Sequence, residues 1–215
     1  MLEIKHISSG YGKKQVLYDV SLQVNNGEVV LLTGGNGSGK STLLKCIYNS
    51  LPCWTGEIFF KGEKINGLKS SDLIKKGIVY IPQKDFYFEN LTVKENLQIS
   101  GYTLPKGVLK ERIAEVYDLT GLTKFRKRKP FNLSGGERKI LAFGMGLIHK
   151  PKLLLFDEPF AGVDAKNTTT LLRLFKETII KPDNGVIIVE HKDDARQLFT
   201  RKVIMELGKT QNITS

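Results

Sequence analysis

Two short stretches of this chain carry the residue types and spacing that chemistry on a polyphosphate demands. The first is Gly34-Gly35-Asn36-Gly37-Ser38-Gly39-Lys40-Ser41, a complete G-x-x-x-x-G-K-S/T run, followed by Thr42. It stands between a nearly all-apolar stretch, Glu28 to Thr33, and a helical pattern from Lys40 onward. Strand, glycine-rich loop and helix in that order are the context in which the run has meaning. The glycines let successive backbone N–H groups point inward at a phosphate, and the helix start adds its positive end. The spacing predicts that Gly34, Asn36, Gly37, Ser38, Gly39, Lys40, Ser41 and Thr42 hold the phosphates of a nucleotide. Lys40 is expected as a point charge between the β- and γ-phosphates, and the Ser41 hydroxyl as a ligand of Mg2+. The nearest approach to a guanine-specifying Asn/Thr-Lys-x-Asp run, Lys181-Pro182-Asp183, is preceded by Ile180, which favours ATP over GTP.

The second stretch, Leu153-Leu154-Leu155-Phe156-Asp157-Glu158, is an apolar strand ending in two carboxylates. Ligands of open parallel sheets bind at the C-terminal strand ends. Asp157 is therefore expected to hold Mg2+, directly or through water, and Glu158 to orient or deprotonate a water in line with the γ-phosphate. A third stretch, Leu133-Ser134-Gly135-Gly136-Glu137, reads locally as an S-x-x-E capping box. Ser134, Gly135 and Gly136 at a helix N-terminus also make a second anion site, which a single phosphate loop does not require.

The elements that must position these groups alternate along the whole chain, without internal repeat or low-complexity segment. Strand-like runs at Leu2 to Ile7, Ser21 to Val24 and Glu57 to Phe60 predict a small N-terminal sheet. Apolar runs at Glu28 to Thr33, Gly77 to Ile81, Lys152 to Phe156 and Gly185 to Val189 are separated by helical stretches, the pattern of a parallel α/β core. From about Lys84 to Lys150 the strand signal disappears. Helices are expected from a capping box at Thr92-Val93-Lys94-Glu95 through Ile99, from Val108 to Leu119, and from Ser134 to His149. The chain is expected to end soon after its last strand, around Leu207.

A hydrophobic fraction of 40% with 26% charged residues suits a packed core and disfavours disorder, collagen-like repeats and disulfide scaffolds. The most apolar stretch, Ile140 to Ile148, is far below the roughly 18 residues of a membrane span, and the start Met1-Leu2-Glu3-Ile4 lacks the regions of a signal peptide. Cys46 and Cys53 have neither metal-ligand nor redox spacing and read as reduced core thiols. The formal charge is 33 − 22 = +11. Part of it is local, in Lys124, Arg126, Lys127, Arg128 and Lys129. That run reads first as a solvated loop, with nucleic acid and anionic lipid headgroups as the alternatives.

The pentapeptide Leu133 to Glu137 resembles the signature motif of ATP-binding cassette (ABC) proteins, and other motifs similar to the family's follow in order along almost the entire chain. Tyr11, in Ser9-Gly10-Tyr11-Gly12, resembles the aromatic residue that stacks on adenine, and Gln83 after Tyr80-Ile81-Pro82 the Q-loop glutamine, a catalytic and metal-side residue. Gly162-Val163-Asp164 is similar to the D-loop, and His191 after Val189-Glu190 to the switch histidine that contacts the γ-phosphate. The resemblance implies one ABC ATPase domain over residues 1–215: a P-loop NTPase parallel-sheet core with an antiparallel β subdomain (1–83 and 151–215) and a helical insertion (84–150). It implies an ATPase using ATP and Mg2+, with Lys40, Gln83, Glu158 and His191 catalytic and Ser41, Gln83 and Asp157 on the metal. It also implies a second cassette pairing head to tail around two ATP, separate transmembrane permease subunits, and a cytoplasmic place on the inner face of the membrane.

A soluble cassette acting on ribosomes or nucleic acid is the alternative, disfavoured because the chain has neither a tandem cassette nor a long coiled coil. The aromatics of Lys84-Asp85-Phe86-Tyr87-Phe88 are expected either to meet a partner in the cleft beside the insertion or, for two of the three, to pack the insertion onto the core. Phe156 to Asp164 and Leu91 to Leu97 look like compact cassettes of branched-chain amino-acid uptake and lipopolysaccharide export systems.

Overall fold

The computed structural model of the chain describes residues 1–84, 86–190 and 197–213. Its centre is a six-stranded sheet in the order β10-β9-β3-β8-β7-β6. The strands are β3 (Val29–Thr33), β6 (Ile78–Ile81), β7 (Leu153–Asp157), β8 (Gly185–Val189), β9 (Arg201–Glu206) and β10 (Lys209–Ile213). All pairings are parallel except that of β9 with β10. β6, β7 and β8 are buried at every position, which explains their unbroken apolar sequences.

Because successive side chains leave a strand on opposite faces, each central strand feeds two cores. Val29, Leu31, Leu154, Phe156, Val186 and Ile188 pack on one face, and Val30, Leu32, Leu153, Leu155, Ile187 and Val189 on the other. The first core is covered by helices α3 (Val93–Ser100), α4 (Lys106–Thr120), α5 (Gly135–Leu147) and α6 (Ala165–Leu174). Phe143 of α5 is its pivot, with ring centroids 6.1 Å from Phe156 and 4.9 Å from Phe175. Phe86 and Tyr87 pack against the same core while Phe88 is exposed. Two of the three consecutive aromatics are thus accounted for by packing.

The second core receives α1 (Lys40–Ile47), α2 (Ser70–Lys75) and an antiparallel sheet. That sheet has the order β2-β1-β4-β5, with β1 (Leu2–Tyr11), β2 (Lys14–Val24), β4 (Thr55–Phe60) and β5 (Glu63–Lys64). Cys46 is buried here and Cys53 only half-buried; both are free thiols, in hydrogen-bond contact with each other. The capping boxes at Thr92/Glu95 and Ser134/Glu137 form as the spacing predicts.

The end of the described chain differs from expectation. Instead of stopping near Leu207 it turns there, through positive φ at Leu207 and Gly208, and returns as β10 along β9. Lys209-Thr210-Gln211-Asn212 is polar and shows no alternation that would mark a strand, because an edge strand has less apolar surface to bury. The turn donates the Gly208 N–H to the Ser38 carbonyl (3.0 Å) and accepts the Tyr18 N–H at the Gly208 carbonyl (2.9 Å), so it braces the phosphate loop against β2.

Among the described residues no helix is long and apolar enough to cross a membrane. Phe143→Ala should leave a cavity between α5 and the sheet and destabilise the fold by about 3–5 kcal/mol, read as a lower urea midpoint with an unchanged slope. An unchanged midpoint would remove Phe143 from the centre of this core.

Candidate functional site

The parallel register brings the C-terminal ends of β3, β7 and β8 to one sheet edge, since Leu32 pairs with Val189 and Asp157 with Val189 from the other side. The phosphate loop leaves β3 there. Gly34 (φ +146°) lies so close to β9 that a Cβ on it would sit 2.0 Å from the Met205 carbonyl oxygen, so no other residue fits. The loop enters α1 through Gly39, which offers no side-chain cap and leaves the first N–H groups of the helix for an anion. Lys40, 5% exposed, donates from Nζ to the Gly34 and Gly35 carbonyls (2.9 and 3.0 Å). Burial lowers its pKa, and Glu158 and Asp157 partly restore it. The Ser38 hydroxyl is buried and has no partner among the described residues.

Asp157 ends β7 at 2% exposure. One carboxylate interaction is with the Ser41 hydroxyl, whereas Oδ1 is buried without a partner among the described residues. Its pKa is raised, first by burial and then by Glu158, against the opposing pull of Ser41, Lys139 and Lys40. An orphaned hard oxygen beside a serine hydroxyl fits a Mg2+ ion that keeps substrate phosphates and water as its other ligands.

Glu158 turns away from the strand with φ 51°, a left-handed conformation that costs a non-glycine residue about 1–3 kcal/mol. Among the described residues, contacts on three sides hold it. Its N–H donates to the Val189 carbonyl (2.9 Å), its carboxylate accepts from the Gln83 amide, and its carbonyl accepts from Lys139 Nζ (2.7 Å).

Lys139 was not legible as a site residue. In sequence it is one more cation in Glu137-Arg138-Lys139, yet α5 turns it inward, where Nζ also donates to the Gln83 carbonyl (3.2 Å). Burial depresses its pKa against the support of Glu190, Glu158 and Asp157. One ammonium thus ties the signature helix, the Q-loop and the carboxylate pair together. The only sequence signal was its position two residues beyond the capping-box glutamate, on the side that Gly136 and Ile140 bury.

A cavity of about 820 Å³ lies over the loop, lined by Tyr11, Asn36, Gly37, Gly39, Lys40, Ser41, Thr42 and Glu158, and also by Lys14, Gln15, Val16, Tyr18 and Leu207–Lys209. The last two groups were missed, because they come from the flank of the first hairpin and from the unforeseen β9–β10 turn. Tyr11 stands on the rim, 46% exposed, with Lys45 Nζ 5.5 Å from its ring centroid and bonded to its hydroxyl (3.2 Å). Such a ring is a stacking platform for a base.

Ser134, Gly135 and Gly136 are not on that cavity. Ser134 and Glu137 cap α5 reciprocally, at 3.2 and 2.8 Å, and Gly136 is required by packing, since a Cβ there would meet Asn167 at 2.5 Å. Asp164 caps α6 by accepting the Asn167 N–H (3.0 Å). Gly135 instead lines a separate cleft of about 280 Å³ with Gln83, Phe86, Tyr87 and Lys139. His191 lies outside the described residues.

Comparison with known proteins identifies the family. The family described as "ABC transporter" matches residues 17–161. The chain is 35% identical to the high-affinity branched-chain amino acid transport ATP-binding protein BraG of Pseudomonas aeruginosa, over 97% of this chain and 90% of that protein. It is 41% identical to the probable branched-chain amino acid transport ATP-binding protein LivF of Archaeoglobus fulgidus, over 77% of this chain and 71% of that one. The ADP conformation of an ATP-binding cassette of an ABC transporter superposes with a TM-score of 0.87 at 27% identity, covering 98% of this chain and 89% of that one. A strand-to-helix phosphate loop after β3, a carboxylate pair at the end of β7, one strand away across β8, and these matches lead to one conclusion: the chain belongs to the ATP-binding cassette family and is an ATP-binding, ATP-hydrolysing transporter subunit.

Proposed function

We propose that this subunit clamps ATP and Mg2+ between its own phosphate cavity and the Ser134–Gly136 helix of a second cassette, and that hydrolysis releases the clamp to drive transport through separate membrane-spanning partners. One observation carries this reading: within a single chain the α5 N-terminus stays off the cavity that holds Lys40, Ser41 and Glu158, so each chain has half a site to give to another. ATP then favours the closed pair by binding it better than the open one, and loss of the γ-phosphate removes that preference.

In the chemical step Tyr11 stacks the base, the loop N–H groups and Lys40 bind the β- and γ-phosphates, and Ser134, Gly135 and Gly136 of the neighbour complete the anion cradle. Ser41, Asp157 and Gln83 would hold Mg2+, which would supply neutralisation of the phosphate charge. Glu158 orients and deprotonates the attacking water, His191 contacts the γ-phosphate, and Lys139 keeps the Glu158 backbone in its strained turn. Residues 84–150 act as a helical unit against the core of 1–83 and 151–215. The cleft beside Gln83, with Phe86 and Tyr87 on its wall, receives the membrane partner at the inner face of the membrane. The relatives support branched-chain amino-acid transport as the cargo class, although the cargo path belongs to the partner.

Three outcomes test these roles. Glu158→Gln should keep ATP affinity within about threefold while turnover falls on the order of 10²–10⁴-fold; parental turnover would remove Glu158 as the base. Lys40→Ala should abolish the ATP-dependent shift to a dimer on sizing chromatography, and a shift identical to the parent's would refute the clamp. Lys139→Met should lower kcat by about tenfold or more. Because this cation holds the Asp157 pKa down, its loss should also move the acid limb of kcat to higher pH, and Lys139→Arg should restore that limb. An unmoved limb in Lys139→Met would mean that Lys139 serves packing alone.

A further inference from the structure

The basic run that the nucleotide site does not use is a rigid ledge. Lys124, Arg126, Lys127, Arg128 and Lys129 are all exposed, Lys124 within and the others after a short 3₁₀ turn anchored by buried Leu122, with a second turn beginning at buried Pro130. The backbone is hooked to the start of α3: the Val93 N–H donates to the Arg128 carbonyl (2.8 Å) and the Lys94 N–H to the Arg126 carbonyl (3.1 Å). This adds exposed Lys94 to the cluster. None of these six cations has a carboxylate within ion-pair distance among the described residues. Glu95 is near enough to Lys129 and Lys94 for them to lower its pKa, but it is engaged in capping Thr92 (2.7 Å).

Within the ledge lies a shallow basin of about 430 Å³ lined by Thr92, Lys94, Tyr117, Arg126 and Lys127. The Tyr117 hydroxyl is buried and has no hydrogen-bond partner among the described residues. Three cations and an unsatisfied hydroxyl around one concavity have the composition of a receptor for a phosphate group. In the 3₁₀ turn that follows the run Phe131 is 66% exposed, so a benzyl side chain accompanies the cations, as at an interfacial membrane contact. A polynucleotide would call for several successive aromatic faces open to stack bases; of the two phenylalanines in this run only Phe131 is open, since the Phe125 ring carries Lys124 and Arg128 at 4.8 and 5.0 Å.

The ledge is also fixed relative to the cleft assigned to the membrane partner. Buried Asn96 of α3 accepts the Phe88 N–H (2.7 Å) and donates to the Phe88 and Leu91 carbonyls (3.0 Å each). The segment from Phe88 to Leu91, which follows the cleft aromatics Phe86 and Tyr87, is thereby hydrogen-bonded into one unit with α3 and the basic run.

We propose that this ledge docks on anionic phospholipid headgroups, the basin taking one headgroup phosphate and the flanking cations the negative surface of the leaflet. The orientation rests on the transporter reading above; the lipid contact itself can be measured without it. The full chain, with no membrane partner, is to be co-sedimented with vesicles of phosphatidylcholine alone or with about 30% phosphatidylglycerol. Partition onto the anionic vesicles should be at least about tenfold higher and should disappear in about 0.5 M salt. Arg126→Glu with Lys127→Glu should reduce it on the order of a hundredfold, and the milder Arg126→Gln with Lys127→Gln by about tenfold or more, both with ATP hydrolysis in solution unchanged. Equal partition onto neutral vesicles, parental partition by both double variants, or preference for a single-stranded DNA oligonucleotide over anionic vesicles would overturn the proposal. Absence of vesicle binding with hydrolysis intact would remove the lipid site and leave the transporter reading standing; loss of hydrolysis in the parent chain would do the reverse.

Discussion

Four charged groups are drawn out of bulk water at one edge of the central sheet, and the balance among them is what the rest of the molecule serves. Lys40 and Asp157 are almost wholly buried, while Glu158 and Lys139 are half-buried beside them. Isolated, each would be costly to desolvate. Together they form an alternating set in which each cation supports two carboxylates, so Asp157 is pulled back from the protonated state that burial favours. Such a set is poised for a highly charged ligand. It holds hard oxygen beside a serine hydroxyl for a divalent cation, and N–H groups with an ammonium for phosphate.

This balance depends on architecture on both sides of the sheet. The two apolar cores fix β3, β7 and β8 in register, so the loop after β3, the carboxylates after β7 and the turn at Val189 and Glu190 end at one level. The strained backbone at Glu158 survives because three separate elements hold it: β8 through Val189, the Q-loop through Gln83 and α5 through Lys139. Lys139 also makes the geometry of Glu158 sensitive to the helical segment. A shift of α5 relative to the sheet alters the bond to the Glu158 carbonyl, which gives a physical route between the cleft and the chemistry.

The N-terminal end of α5 does not line the phosphate cavity of its own chain. Its residues have full local employment, Ser134 and Glu137 as reciprocal caps and Gly136 as the only residue that admits Asn167. A helix start that is capped, packed and still open at its tip can be lent to a neighbour without refolding. In the proposed clamp, nucleotide at such a shared site would be part of an interface, so that its binding energy would act on the association of two chains.

Much of the candidate site was legible because its signals are local. A glycine needed where the chain passes within contact of another backbone, a lysine opening a helix, a carboxylate at the end of an apolar strand and an S-x-x-E cap are all written within a few residues. The unbroken apolar runs announced strands buried on both faces for a similar reason. What the sequence by itself determined is therefore the set of elements, the phosphate loop, the carboxylate pair and the family they indicate. Only the tertiary structure decided that Lys139 faces inward, that a polar edge strand closes the sheet and braces the loop, and that Ser134–Gly136 lie off the cavity. Each of these depends on burial and approach between segments far apart in the chain, and local spacing does not say which distant segment will meet a given residue.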